Sequence, residues 1–344
     1  VNVIIPATNL KNHLSKVSSL GNIVIGNGQL ASSGWDQTVV VTEPLLDLKE
    51  PISINNRLLV STCSKLKGQV LLTYGGKVLK IRAGRFKAEL PVTDGGIPIP
   101  ASSLSELPVQ TSSLRELLTF AGSVAEEDSK FDYTCIIQLK QRGKRLEAIG
   151  TDSLRIALAA AKAEEDVELD MLIPAHILST IKSLENEVTY ISETENNNIF
   201  RSGNTTIWAR KYSKKFPDVS KVIPVSYNIE IEVRGEDLSE SLQRISPITD
   251  QEHLKVVMEF RESSLSLSAS SPLSGKAEDE IPITNLDPFG MVPKGRIACS
   301  INFLKKALVS FKGCETLSVK ANGSGLPFLL EAGNKKILLA GIKV

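Results

Sequence analysis

ISINNRLLVSTCSKLKGQVLLTYGGKVLKIRAG, Ile52–Gly84, carries a plan that recurs twice further along the chain. A short alternating stretch leads into a segment with apolar residues at helical spacing (Leu58, Leu59, Leu66), then into strands around Gly75-Gly76, a hairpin signal. LIPAHILSTIKSLENEVTYISETENNNIFRSG, Leu172–Gly203, keeps the same order, with Ile177, Ile181 and Leu184 on the helix and a turn at Asn196–Asn198. CSINFLKKALVSFKGCETLSVKANGSGLPFLLEAG, Cys299–Gly333, repeats it with Leu304, Leu308, Phe311 and a turn at Asn322–Gly325.

Working outward, a second helix is expected before each unit. The candidates are Thr8–Leu20 (Leu10, Leu14, Val17), Thr111–Ala125 (Leu114, Leu118, Ala121) and Glu236–Ser246 (Leu238, Leu242, Ile245). Thr111, Ser112 and Ser113 are candidate N-caps for the second of these, and Asp237 for the third. The sequence between the paired helices reads as strand: Tyr133–Leu139 and Arg145–Ala160 in the second repeat, Lys255–Phe260 and Ser264–Ala269 in the third. Leu10, Leu114 and Leu238 stand 104 and 124 residues apart, and Ile54, Ile173 and Ile301 stand 119 and 128 apart. The repeat is therefore a domain in length, far beyond a solenoid unit of about 20–50 residues. With breaks near Leu104–Gln110 and Pro224–Asn228, the expectation is an α+β chain of three domains, 1–105, 106–224 and 225–344, each with two helices packed on antiparallel sheets.

The composition, 42% hydrophobic and 23% charged over 344 residues, is that of a globular chain. No apolar run approaches the roughly 18 residues of a membrane span, and Val1–Leu14 does not read as a secretory signal. Cys63, Cys135, Cys299 and Cys314 are scattered with no CxxC pair, which fits buried thiols in a reducing cytoplasm better than disulfides or zinc.

Catalytic patterns are missing. His13, His176 and His253 show no HxxxH or HExxH spacing, and neither a GxSxG elbow nor a GxxxxGK[ST] loop occurs. Gly26–Gly28, Gly75-Gly76 and Gly323–Gly325 suit hairpin turns and lack the following helix of a phosphate cradle. Thr151-Asp152 has no His or Lys partner indicated. No enzyme activity, cofactor or metal is expected.

Charge is distributed unevenly. The net charge is +1, yet the six expected helices carry Lys11, Lys16, Arg57, Lys65, Lys67, Arg115, Lys182, Arg244, Lys305, Lys306 and Lys312 against only Glu116, Glu236, Asp237 and Glu240, a surplus of +7. If those helices share one surface, that surface attracts phosphate without sequence preference. Aromatic residues are only 5% of the chain, and no basic–aromatic stacking platform for single strands is evident.

Three local matches now resemble the bacterial DNA sliding clamp, the beta subunit of DNA polymerase III. Gly150-Thr151-Asp152-Ser153-Leu154-Arg155-Ile156-Ala157 is similar to that family's T-D-G-H-R-L-A motif. Phe216-Pro217-Asp218-Val219-Ser220-Lys221-Val222-Ile223-Pro224 is similar to its F-P-D-[YF]-x-R-[VL]-[IL]-P segment, and Ile337–Val344, ILLAGIKV, to its terminal V-V-M-P-M-R-L. The resemblance implies a head-to-tail homodimer closing a ring around duplex DNA, with basic helices facing the hole. It also implies a pocket that takes short peptide motifs from polymerase, clamp loader and repair proteins. Carried over by position, the pocket residues are Thr151, Leu154, Arg155, Ile156, Pro217, Lys221, Val222, Leu338, Ala340 and Ile342, with Pro327. The implied subunit interface pairs Phe86 of the first domain with Ile245 and Ile248 of the third. Departures are visible: Ser153-Leu154 replaces Gly-His, Ala340-Gly341 replaces Met-Pro, and the first domain lacks a basic loop after its first helix. A repeat-built interaction or structural protein that does not bind DNA is the alternative reading.

Overall fold

The computed structural model describes residues 2–18, 20–96, 107–108, 113–126, 131–163, 166–184, 188, 190–212, 215–249, 254–286 and 294–344. Thr111, Ser112, His253 and the expected first domain boundary lie outside them. In the first third of the chain the strands are β1 (Asn2–Pro6), β2 (Ile23–Gly26), β3 (Gln29–Ser33), β4 (Gln37–Thr42), β5 (Ile52–Ile54), β6 (Gln69–Gly75), β7 (Val78–Ala83), β8 (Phe86–Pro91) and β9 (Thr93–Asp94). The second third has β10 (Leu107–Pro108), β11 (Ile136–Arg142), β12 (Arg145–Thr151), β13 (Arg155–Lys162), β14 (Leu169–Pro174), β15 (Tyr190–Glu193), β16 (Asn197–Ser202) and β17 (Thr205–Arg210). The last third has β18 (Ile229–Arg234), β19 (Lys255–Phe260), β20 (Ser264–Ser271), β21 (Gly275–Pro282), β22 (Thr284–Asn285), β23 (Gly295–Ser300), β24 (Thr316–Ala321), β25 (Phe328–Ala332) and β26 (Lys335–Leu339). The helices are α1 (Ala7–Val17), α2 (Asn56–Cys63), α3 (Leu114–Ala121), α4 (Leu178–Lys182), α5 (Gly235–Ile245) and α6 (Ile301–Ser310).

The repeat read from the sequence is a repeat of half-sheets. One half-sheet recurs as β5-β2-β3-β4, β14-β11-β12-β13 and β23-β19-β20-β21; the other recurs as β1-β6-β7-β8, β10-β15-β16-β17 and β18-β24-β25-β26. Strands β4 and β17 pair antiparallel, fusing a half-sheet of the first third with one of the second. Strands β13 and β26 do the same for the second and last thirds, and the short β9 and β22 each add a ninth strand to the eight of a fused sheet. Two half-sheets are left single, ending on β8 and on β21. Because sheets are shared, the chain's two compact units cut across the sequence thirds. One unit is 1–115, 163–166 and 176–213; the other is 116–162, 167–175 and 214–344.

Helical spacing accounts for what each helix buries. In α1 the stripe Leu10, Leu14, Val17 is buried, and α1 packs on α2 through Leu59 and Cys63. In α5 the stripe Leu238, Leu242, Ile245 is buried, and α5 packs on Ile301, Leu304 and Leu308 of α6. Each such aliphatic side chain is worth roughly 1.5–3 kcal/mol against exposure. Asn55 caps α2, accepting from the Leu58 amide at 3.1 Å.

Several expectations are corrected. The leading helices are shorter than their apolar patterns suggested, ending at Val17 and Ala121. Asp237 is not the cap of α5: the helix starts at Gly235, so Glu236 and Asp237 lie in its first turn, where carboxylates favour the positive end of the helix dipole. Asp132–Cys135 is a 3-10 turn, and the strand expected there begins at Ile136. The expected helix after Leu172 reduces to a 3-10 turn, Ala175–Ile177, and the five residues of α4. The Gly75-Gly76 turn joins β6 to β7, with Gly76 at φ 71°.

Candidate functional site

The residues implied as a peptide pocket all fall in one compact unit, around the junction of β13 and β26. The turn from Thr151 to Arg155 is knitted by its own side chains. Thr151 Oγ1 donates to the Arg155 carbonyl at 2.7 Å and accepts from the Ser153 amide at 3.2 Å. Asp152 Oδ1 accepts from the Leu154 and Arg155 amides at 3.0 and 2.6 Å. Its Oδ2 accepts from Arg155 Nε and Nη2 at 2.8 and 2.7 Å, a two-pronged ion pair buried on both sides. The Arg155 guanidinium lies 4.7 Å from the Phe303 ring centroid, so a cation–π contact covers one of its faces. Its Nη1 is buried with no acceptor among the described residues. Arg155 thus shapes the turn more than it presents charge. Thr151-Asp152 needs no catalytic explanation, since both side chains are engaged in the turn.

Beneath the turn, Ile156 and Leu338 face each other across β13 and β26 and belong to one buried cluster with Ile149, Val219 and Leu329. Phe216, Leu158, Ile223 and Tyr227 pack against it. Leu154 is 50% exposed, Val222 51% and Ile342 40%, three apolar side chains offered to solvent. Pro217 and Lys221 are exposed, Pro327 and Ala340 half-buried. The Ala340 amide donates to the Leu154 carbonyl at 2.9 Å and the Ile342 amide to the Ala298 carbonyl at 2.7 Å, which ties down the last residues. A Cβ on Gly341 would fall 2.1 Å from the Leu326 carbonyl oxygen, so glycine permits this close pass.

The segment Phe216–Ile223 lies against β11–β13. Asp218 accepts from the Ser220 amide at 3.2 Å and hydroxyl at 2.6 Å, and these bonds hold its carboxyl below the usual range. Beside the segment opens a groove of about 620 Å³, floored by Ile149, Leu158, Phe216 and Val219 and edged by Lys140, Arg142 and Arg145. Of the implied pocket residues only Pro217 lines it. Phe216 and Leu158 are absent from the implied set; the run Ile156–Ala161 is apolar at every position, so the sequence does not single out Leu158.

The basic residues expected to face DNA divide. Arg57, Lys65, Lys67, Lys182, Lys306 and Lys312 are exposed, and Lys11 and Lys305 half-buried. Lys16 is buried, 3.3 Å from Thr205 Oγ1, so it cannot meet a phosphate. Arg115 donates to the Leu184 carbonyl at 2.7 Å. Arg244 is exposed but paired with Asp279 at 2.7 Å and Glu240 at 3.2 Å. Of the implied interface residues, Phe86 is 41% exposed at the start of edge strand β8. Ile245 is buried at 1% exposure in the α5 core, which corrects its reading as a contact residue; Ile248 is half-buried just beyond. His13 contacts Glu43 and His176 contacts Asp36, each at 2.8 Å.

No protein-family model matches the chain. Proteins named beta sliding clamp are similar to it: that of Streptococcus pneumoniae is 23% identical over 221 residues, 62% of this chain and 57% of that protein. That of Bacillus subtilis is 25% identical over 210 residues, 59% and 54%. The chain thus matches a little over half the length of these curated relatives. Likeness in fold extends further. A putative DNA polymerase III beta subunit of Eubacterium rectale superposes with a TM-score of 0.87 at 14% identity, covering 100% of both chains. A sliding clamp of Pseudomonas aeruginosa, solved bound to griselimycin, gives 0.87 at 17% identity, covering 100% and 99%. The beta subunit of Thermotoga maritima gives 0.86 at 16%, also covering 100% and 99%. The chain has the fold of these clamps along its whole length, and in sequence it is a divergent relative of the bacterial beta sliding clamps.

Proposed function

We propose that this chain is a DNA polymerase processivity factor. In this reading two copies join head to tail into a ring around duplex DNA. The turn at Thr151–Ile156 and the Leu338–Ile342 segment grip short motifs of polymerase, clamp loader and repair proteins. The observation that carries the reading is the arrangement of half-sheets. The thirds are fused by β4–β17 and β13–β26, while β8 and β21 each keep one edge open among the described residues. The open edges of β8 and β21 are complementary: pairing one copy's β8 with the other's β21 would repeat the same junction and close a two-fold ring. Division into domains 1–105, 106–224 and 225–344 belongs to the same proposal.

A closed ring stays on DNA by topology, so its phosphate contacts can be weak and unspecific. Exposed cations such as Lys65, Lys67, Lys182, Lys306 and Lys312 suit that task. The tethering site suits a peptide: a buried apolar floor, with exposed Leu154, Val222 and Ile342 as anchors. Such a protein performs no catalysis of its own and works in the cytoplasm beside the replication machinery. Among the described residues no helix is long and apolar enough to cross a membrane.

Solution scattering tests the ring. The expected mass is twice the 37.3 kDa of the chain. A monomer at micromolar concentration would leave the alternative, a repeat-built protein that does not encircle DNA. Substituting Lys305 and Lys306 with Glu should weaken retention on DNA and leave peptide binding at Val222 unchanged. Equal retention would remove those residues from the DNA surface.

A further inference from the structure

The junction between β4 and β17 repeats the frame of the β13–β26 junction residue for residue. Thr38 pairs with Trp208 as Ile156 pairs with Leu338; Ser33 pairs with Thr38 as Thr151 pairs with Ile156; Ile199 pairs with Trp208 as Leu329 pairs with Leu338. The turn bonds recur too. The Gly34 amide donates to the Gln37 carbonyl at 2.8 Å, as Asp152 does to Arg155 at 3.2 Å. The Arg210 amide donates to the Asp36 carbonyl at 2.7 Å, as Ala340 does to Leu154 at 2.9 Å. Even the buried floor is matched: Ala31, Val40, Ile199 and Trp208 occupy the positions of Ile149, Leu158, Leu329 and Leu338.

The side chains that dress this second frame differ. Trp35 stands 92% exposed on the turn, the most solvent-open aromatic residue described. A depression of about 440 Å³ lies beside it, lined among others by Gln37, Asn196, Trp208 and Arg210. Trp208 is only 7% exposed, and its indole N–H has no acceptor among the described residues. Arg210 stands where the other junction has Ala340; it is exposed and makes no ion pair among the described residues. Asp36 also lines the depression, with its carboxylate 2.8 Å from His176, so the exposed indole and the Arg210 guanidinium, which has no ion pair among the described residues, suit a ligand with an apolar side chain and a carboxylate close together. Polar Gln37 and Asn196 offer donors and acceptors to a main chain.

We propose that the β4–β17 junction is a second docking site, which takes a short acidic, apolar peptide from a partner protein. An apolar side chain lies on Trp35 and an aspartate or glutamate pairs with Arg210. The peptide nature of the ligand rests on the proposed function of the β13–β26 junction; the preference for acid rests on Arg210 alone.

The chain has two tryptophans, so Trp208→Phe leaves Trp35 as the sole reporter. The probes are acetylated hexapeptides with one leucine or phenylalanine beside one aspartate, and a matched set with lysine for aspartate. The aspartate set should shift Trp35 emission to the blue and shield it from acrylamide; Arg210→Ala should weaken this about tenfold. In parallel, calorimetry on the otherwise unaltered chain should show the binding lost in Trp35→Ala and kept in Val222→Asp, which damages only the other junction. The proposal is overturned if no aspartate peptide moves Trp35 emission, or if lysine peptides act equally. It is also overturned if binding survives Trp35→Ala and fails in Val222→Asp, or if only a DNA oligonucleotide produces the shift. Failure of the β13–β26 site itself would be read with a different probe: a short peptide of glutamine, leucine and phenylalanine without acid would bind the Val222→Asp variant as tightly as the unaltered chain.

Discussion

Ser153 has φ 75°, a left-handed conformation that costs a residue with a Cβ about 1–2 kcal/mol. The clamp motif it resembles has glycine there. Ser153→Gly should therefore be more stable than Ser153→Ala by about 0.5–1 kcal/mol in urea unfolding, since both lose the Tyr133 contact and the strain relieved by glycine exceeds its greater chain entropy. A midpoint equal to or below that of Ser153→Ala would show that the turn does not hold this strain in solution. Arg155 makes the opposite case: Arg155→Ala strands a buried Asp152 carboxylate and should cost about 3–5 kcal/mol by the same measurement. The thiols sort by burial. Desolvation pushes Cys63 up to about 11 and raises Cys299 further, so both stay protonated at neutral pH. Half-buried Cys135 and Cys314 should be alkylated first, as read by mass spectrometry of partial iodoacetamide digests; early labelling of Cys63 would mean the α1–α2 packing opens.

At the level of elements, what the sequence reveals depends on how local the cause is. Hairpins at Gly75-Gly76 and Asn322–Gly325 are legible because turn chemistry acts over a few residues. Helix stripes such as Leu238, Leu242, Ile245 are legible because helical period acts over one or two turns. Tyr133–Cys135 misleads because an aromatic beside a β-branched residue reads as strand, while the backbone forms a 3-10 turn. Fusion of half-sheets through β4–β17 and β13–β26 leaves no local mark, since the partners are more than a hundred residues apart. Charge counts on helices do not name a face either, which is why Lys16, on the buried stripe with His13, was counted toward DNA. In the peptide site, motif positions supply Ile156 and Leu338, but the packing of Phe216–Ile223 against the sheet emerges only in three dimensions. The element with the sharpest consequence is edge strand β8. Phe86→Asp places a charge at its start and should convert a dimer to a 37.3 kDa monomer without loss of secondary structure; an unchanged mass would exclude β8 as the contact.

For the whole molecule, repetition is the unifying feature. One pair of half-sheets, used three times and fused twice, leaves one edge of each kind over. Closure by a second copy would remove both edges, as aggregation control favours. The same repetition presents the junction frame at both fused sites, with Leu338, Ala340 and Leu154 on one, and Trp208, Arg210 and Asp36 on the other. In the proposed ring, electrostatics and topology would divide the labour: exposed helix cations would hold DNA loosely, and closure would prevent escape. Retention on closed circular DNA separates the two most directly. Protein loaded on a nicked circle should remain bound through gel filtration at salt that dissolves ordinary phosphate contacts, and should leave when one restriction cut linearises the circle. Release from the intact circle at that salt, or equal retention on the cut DNA, would contradict the ring.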